Sequence, residues 1–169
     1  RYYTISYGVL EMIANFMVGI SDLISNSFLT AAISSWIIAQ VLKVVIHAAV
    51  NRKLDLKRLL GDGGMPSGHS ATVSSIAAMC ALECGTKSAE FAISAVLAII
   101  VCHDAMGVRR ETGKQNVILN EIIKSFDIFT SQKLPEIKLK EFVGHTPFQV
   151  VAGVAIGIIN SVIIHGLLS

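Results

Sequence analysis

Four stretches of the chain are long and apolar enough to cross the hydrocarbon core of a bilayer, which takes about 20 helical residues. They run from Phe28 to Val50, from Pro66 to Gly85, from Ser88 to Gly107, and from Pro147 to Leu168. A fifth, Tyr2 to Ile24, carries Glu11 and Asp22 and reads either as another span or as a helix lying in the membrane interface. Gly153 and Gly157 form a GxxxG spacing in the last stretch, which points to close helix packing. The pattern predicts an all-α integral membrane bundle of four to five spans forming one domain over residues 1–169. Within it, 1–27 would be the interfacial helix or extra span, and 108–146 a polar excursion on one membrane face.

Composition agrees with lipid as the solvent. Hydrophobic residues make up 53% of the chain and charged residues 15%, against roughly 25% charged in soluble domains. The mean hydropathy of +0.63 in a chain of 169 residues is more apolar surface than so small an interior can hide from water. A net charge of +2 with no basic, aromatic-interleaved stripe argues against nucleic acid as a partner. Cys80, Cys84 and Cys102 all lie in apolar stretches without metal-ligand spacing, so they read as apolar thiols rather than disulfides or a zinc site.

Charge changes the picture by giving the bundle an orientation. Arg52, Lys53, Lys57 and Arg58 follow the first long stretch. Arg109, Arg110, Lys114, Lys124, Lys133, Lys138 and Lys140 follow the third, whereas the opposite loop offers Lys87. The positive-inside rule puts both basic loops in the cytoplasm. The expected location is the plasma membrane.

Ionisable residues inside spans are costly and usually face a bundle interior or a wet cavity. Lys43, His47, Glu83, Glu90, His103, Asp104 and His165 qualify. The two glutamates and His165 sit near span ends, where solvation is easy. Lys43 lies about two turns inside its span; it either snorkels to the surface or meets an anion. Asp104 calls for a partner, which Arg109, Arg110, Lys43 or a histidine could supply.

Three motifs fall on the same basic face. Gly63-Gly64-Met65-Pro66-Ser67-Gly68-His69 precedes an apolar helix. Glycine allows close backbone approach, proline suits a first helical turn, and the N-terminal N–H groups point at an anion. Ser67 adds a hydroxyl, and His69 can give or take a proton near neutral pH. Read alone, the motif is equally a capped helix start with an incidental histidine. Arg109 and Arg110, after Asp104, either follow the positive-inside rule or clamp a phosphate. Gly144-His145-Thr146-Pro147 opens the last helix.

The ordered motifs GGMPSGHSA, DAMGVRR and GHTPFQVVAG resemble the divergent PAP2 branch of the type 2 phosphatidic acid phosphatase superfamily, over about Gln40 to Gly157. The resemblance implies a phosphatase with no metal or cofactor and a covalent phosphohistidine. It implies that His145 attacks phosphorus and that His69 protonates the leaving oxygen. Lys43, a loop residue (Arg58 ahead of Arg52) and Arg109 or Arg110 would hold the phosphoryl oxygens, with Ser67 and the Gly68 N–H completing the cradle. The expected substrate is a phosphorylated lipid, such as a polyprenyl diphosphate or a phosphatidic-acid-like molecule.

The chain departs from the superfamily pattern in three places. The arginine and the nucleophilic histidine are usually a few residues apart, whereas Arg110 and His145 are 35 apart in number. The lysine-to-arginine spacing is unusual. Gln149 stands where a carboxylate normally orients the histidine, so Asp104 is expected to take over part of that work. A non-catalytic binder or transporter of a phosphorylated lipid is the alternative reading, and a vanadate-dependent haloperoxidase a more distant one.

Overall fold

The computed structural model describes residues 2–54, 63–130, 139 and 144–168, with 2–10, 13, 24 and 126–130 described as helical backbone only. Among these residues every regular element is a helix: α1 (Tyr2–Ser25), α2 (Ser27–Asn51), α3 (Gly68–Glu83), α4 (Ala89–Met106), α5 (Val108–Thr130) and α6 (Pro147–Leu168). The starts are set by short polar side chains that accept an otherwise orphaned N–H. Asn26 takes that of Leu29 at 3.0 Å, Ser67 that of Ser70 at 3.3 Å, and Ser88 that of Phe91 at 3.1 Å.

Among the described residues three stretches are long and apolar enough to cross a membrane: Ser27–Asn51, Ala89–Ser125 and Pro147–Leu168. Their outward side chains, Ile33, Val45, Ile93, Ile99, Val151 and Ile159 among them, are exposed hydrocarbon. In water this surface would be untenable; in lipid it is solvated. The helix α3 differs. It has 16 residues, roughly 24 Å of helix at 1.5 Å per residue, and sits at the centre, packed against α2, α4 and α6.

Small residues make that central position possible. On α3, Gly68, Ser70, Ala71, Ser74 and Ser75 are buried, and on α6 Gly153 and Gly157 face them. A side chain on Gly157 would meet the Ala71 carbonyl oxygen and Ser74 Oγ. The GxxxG spacing therefore does mark a close helix contact, as its pattern predicts. Polar groups in the interface satisfy one another: Ser161 Oγ lies 2.9 Å from both Ser75 Oγ and the Ser75 carbonyl.

The α2–α6 contact is held by one amide. Asn160 Nδ2 lies 2.8 Å from Ser34 Oγ, 2.9 Å from Ser35 Oγ and 3.2 Å from the Ala31 carbonyl. Asn160→Leu removes this donor from a region where water cannot replace it. Its expected cost is about 1–2 kcal/mol, read as a lower thermal midpoint in detergent with helicity retained. An unchanged midpoint would show that the amide only fills space.

The first part of the segment after α4 is helical. Gly107 ends α4, and the chain restarts at once as α5. Farther along, Asn120 donates to the Leu139 carbonyl at 3.0 Å and accepts the Leu139 N–H at 3.1 Å. This two-way amide contact sets the Leu139 backbone against α5.

Candidate active site

The site forms where α4 ends and α3, α5 and α6 begin. Helix N-termini carry unpaired N–H groups and partial positive charge, so this end of the bundle suits an anion. His69, Asp104, Arg109 and His145 line one small cleft there, together with Val101, Ala105 and Gly144.

The closing of the long Arg110-to-His145 interval has a local cause. Gly144 has φ +88 and lies so close to the start of α5 that a side chain would overlap the Arg110 backbone N. Only glycine meets both conditions. The next residue is pinned as well, since the His145 N–H donates to the Ala105 carbonyl at 2.9 Å.

His145 is 3% exposed. Its Nδ1 lies 3.2 Å from Gln149 Oε1, and the same oxygen accepts the Thr146 N–H at 3.0 Å. Gln149 N–H in turn approaches Thr146 Oγ1 at 3.4 Å. Thr146 and Gln149 thus form a capping box at the start of α6, with Pro147 in the first turn between them. The backbone donor identifies the amide oxygen as the atom facing His145, so Nδ1 must carry the proton. In the neutral ring, Nε2 then holds the free lone pair.

Electrostatics keep that ring neutral. Burial pushes the His145 pKa below its ordinary value of 6.5; the Gln149 hydrogen bond pulls it partly back. Lys43, His69 and Arg109 nearby push it down further. Lys43 is itself 3% exposed, on the inner face of α2.

The other expected residues are placed as follows. Asp104 binds Arg109 Nε at 2.8 Å, whereas the Nδ1 of His145 is held by Gln149. This ion pair is half exposed and adds little stability, but it aims the guanidinium and leaves its two terminal nitrogens as donors. Arg110 is exposed and does not line the cleft. Ser67 is fully buried; its oxygen accepts from Ser70 N–H and from Ser70 Oγ at 2.9 Å. The Ser67 N–H donates to the Gln149 carbonyl at 3.0 Å, tying α3 to α6. Gly68 is buried beside Trp36 and Gln40. Arg58 lies outside the described residues.

One residue was not singled out in the sequence. Gln40 is 8% exposed, its amide carbon lies beside Gly68, and its Oε1 has no hydrogen-bond partner among the described residues. The available signal was its position three residues before Lys43, on the same helix face. Among the described residues no group of three or more His, Cys, Asp or Glu side chains is placed to hold a metal ion.

Comparison with known proteins agrees with the motifs. Residues 24–160 match the model of the Divergent PAP2 family. The chain is 38% identical over 152 residues to the uncharacterized membrane protein YuiD of Bacillus subtilis (strain 168), covering 85% of this chain and 96% of that protein. No solved structure matches the chain. The family match spans most of the sequence and the relative covers nearly its own full length: the chain is a membrane protein belonging to the divergent PAP2 family.

Proposed function

We propose that the protein is a membrane-embedded phosphatase that hydrolyses a lipid phosphate or diphosphate through a phosphohistidine. A polyprenyl diphosphate or a phosphatidic-acid-like lipid would suit it. The observation that carries this reading is the His145–Gln149 contact beside His69 and Arg109: a buried, neutral imidazole with Nε2 free in a cleft that also holds a guanidinium.

In this mechanism Nε2 of His145 attacks phosphorus while the bond to the leaving oxygen breaks, and His69 donates a proton to that oxygen. Water then attacks the phosphoramidate, gives a proton to His69, and the N–P bond breaks to release inorganic phosphate. Such a reaction needs mainly positioning and neutralisation of the phosphoryl oxygens. Lys43 and Arg109 are suited to that task; Ser67, the Gly68 N–H, Arg110 and Arg58 are further candidates. Gln149 and Asp104 act as positioning residues, on His145 and Arg109 respectively. The basic residues around the cleft favour a cytoplasmic site at the plasma membrane.

Phosphate release by purified protein from a panel of lipid phosphates and diphosphates tests the proposal. Absence of release from all of them would overturn it. A non-catalytic binder of phosphorylated lipid is the second reading, favoured because an amide at position 149 adds no negative charge to balance a charged imidazole. Lipid binding without turnover, unchanged in His145→Ala, would support that reading instead.

The pH dependence follows from the neutral ring. A lowered His145 pKa means the nucleophile stays unprotonated down to below pH 6.5, so the acid limb of kcat/KM is expected below that value. Gln149→Glu keeps both hydrogen bonds but puts a negative charge beside Nδ1, which favours the imidazolium. The acid limb should then move to higher pH, by roughly one unit. A limb that stays in place would show that another group governs it.

A further inference from the structure

Apolar hollows open on the bundle, two of them among the described residues. The larger lies among α3, α4 and α6, lined by residues such as Ala78, Phe91, Ala98 and Ile158. The second, of about 400 Å³, lies among α2, α3 and α4, lined by Ala32, Ile33, Trp36, His69, Thr72, Val73 and Val101. Size does not choose between them, since both fall in the range of ligand sites, roughly 300–1,000 Å³. Continuity does. His69 and Val101 line both the second hollow and the catalytic cleft, whereas the larger hollow shares no lining residue with the cleft.

We infer that the groove between α2, α3 and α4 seats the hydrocarbon chain of the phosphorylated substrate while its phosphate occupies the adjoining cleft; this rests on the phosphate reading of that cleft. Helix geometry makes the groove a continuous strip. His69, Thr72 and Val73 share one face of α3 at spacings of three and four, as Ala32, Ile33 and Trp36 do on α2. The strip begins at the indole of Trp36, which lies beside Gly68, and runs away from the cleft.

Its chemistry selects hydrocarbon. Apart from His69 and the Trp36 indole N–H at the cleft end, the polar group in the wall is Thr72, whose hydroxyl proton is already given to the Gly68 carbonyl at 2.9 Å. A headgroup would lose its water there and gain nothing. Ile33 and Trp36 are 56% and 41% exposed on the lipid-facing side. A lipid can therefore slide in from the bilayer, its chain against α2 and α3 and its phosphate drawn to Lys43 and Arg109. A free phosphate or a soluble phosphate ester would use the cleft and leave the groove to bulk lipid.

The test is photocrosslinking in phosphatidylcholine vesicles, using hexadecyl phosphate with a diazirine in mid-chain and mapping adducts by mass spectrometry. The expected adducts fall on Ile33, Trp36, Thr72 or Val73 and drop roughly fivefold with excess unlabelled hexadecyl phosphate. Val73→Trp, which fills the groove, should remove them; Ala98→Trp, in the other hollow, should leave them unchanged. Competed adducts on Ala78, Phe91 or Ile158 would overturn the inference, as would adducts that excess unlabelled probe does not reduce. Hydrolysis of para-nitrophenyl phosphate, which has no chain, is followed in the same samples. Its absence would count against the catalytic reading while groove adducts still upheld the chain site. Its presence with adducts elsewhere would overturn the chain site alone.

Discussion

His145→Ala is expected to leave no phosphoenzyme and to lower phosphate release by a factor on the order of 10⁴ or more, the usual cost of removing a nucleophile. A phosphohistidine is lost in acid and survives base, so rapid quenching of wild type with labelled substrate should give a base-stable, acid-labile label. The variant should give none. Geometry singles out this residue: among the residues lining the cleft, His145 has one ring nitrogen anchored so that the other stays unprotonated, while Asp104 is engaged with Arg109. His69→Ala should behave differently. It removes the proton donor, so label should still form from substrates whose leaving group needs no proton. Wild-type labelling of His145→Ala would rule out this histidine as the nucleophile.

Gly157→Val should damage the fold itself, at a cost of about 3 kcal/mol or more. Its side chain would meet the Ala71 carbonyl and Ser74 Oγ, a backbone atom and a buried hydroxyl that have nowhere to go. The helices α3 and α6 must then separate, and the Ser67-to-Gln149 backbone bond between them is strained in turn. A large fall in thermal midpoint in detergent, with activity lost in parallel, is the expected result. Gly166→Ala makes the comparison, because nothing lies within 4 Å of a side chain there. Similar midpoints for the two variants would mean that the close α3–α6 contact is not what holds the bundle together.

Much of the architecture could be read from the chain because lipid imposes a simple rule: long apolar runs become helices that satisfy their own backbone. The runs around Ser27–Asn51, Ala89–Met106 and Pro147–Leu168 obeyed it. The run beginning at Pro66 became a shorter helix, because Ser67 caps it and leaves Pro66 outside the first turn that the sequence pattern predicts for it. His69 and His145, which line the cleft, stood out by helix-start motifs; Lys43, which does not line it, stood out by its depth in an apolar run. The choice of Arg109 over Arg110 for the cleft was not legible. It depends on how α5 restarts after Gly107, a matter of helix phase that local sequence does not display. For Asp104 the sequence offered Arg109 among several partners, and the choice of it was open for the same reason. The bridging of 35 positions depends on the Asn120–Leu139 contact and on the close approach of Gly144, both long-range pairings. Gln40 escaped because an uncharged amide in an apolar run gives no alarm.

The capping box at Thr146 and Gln149 has an evolutionary corollary. Position 149 must hold a side chain that reaches back to the Thr146 N–H and also offers an acceptor to the ring, and among the amino acids glutamine and glutamate do both. Drift at this position is therefore confined to exchanging one nitrogen for one oxygen. That exchange leaves the helix start intact while changing how readily the histidine takes a proton. The protonation of this histidine can be retuned by a single-atom difference that folding does not notice.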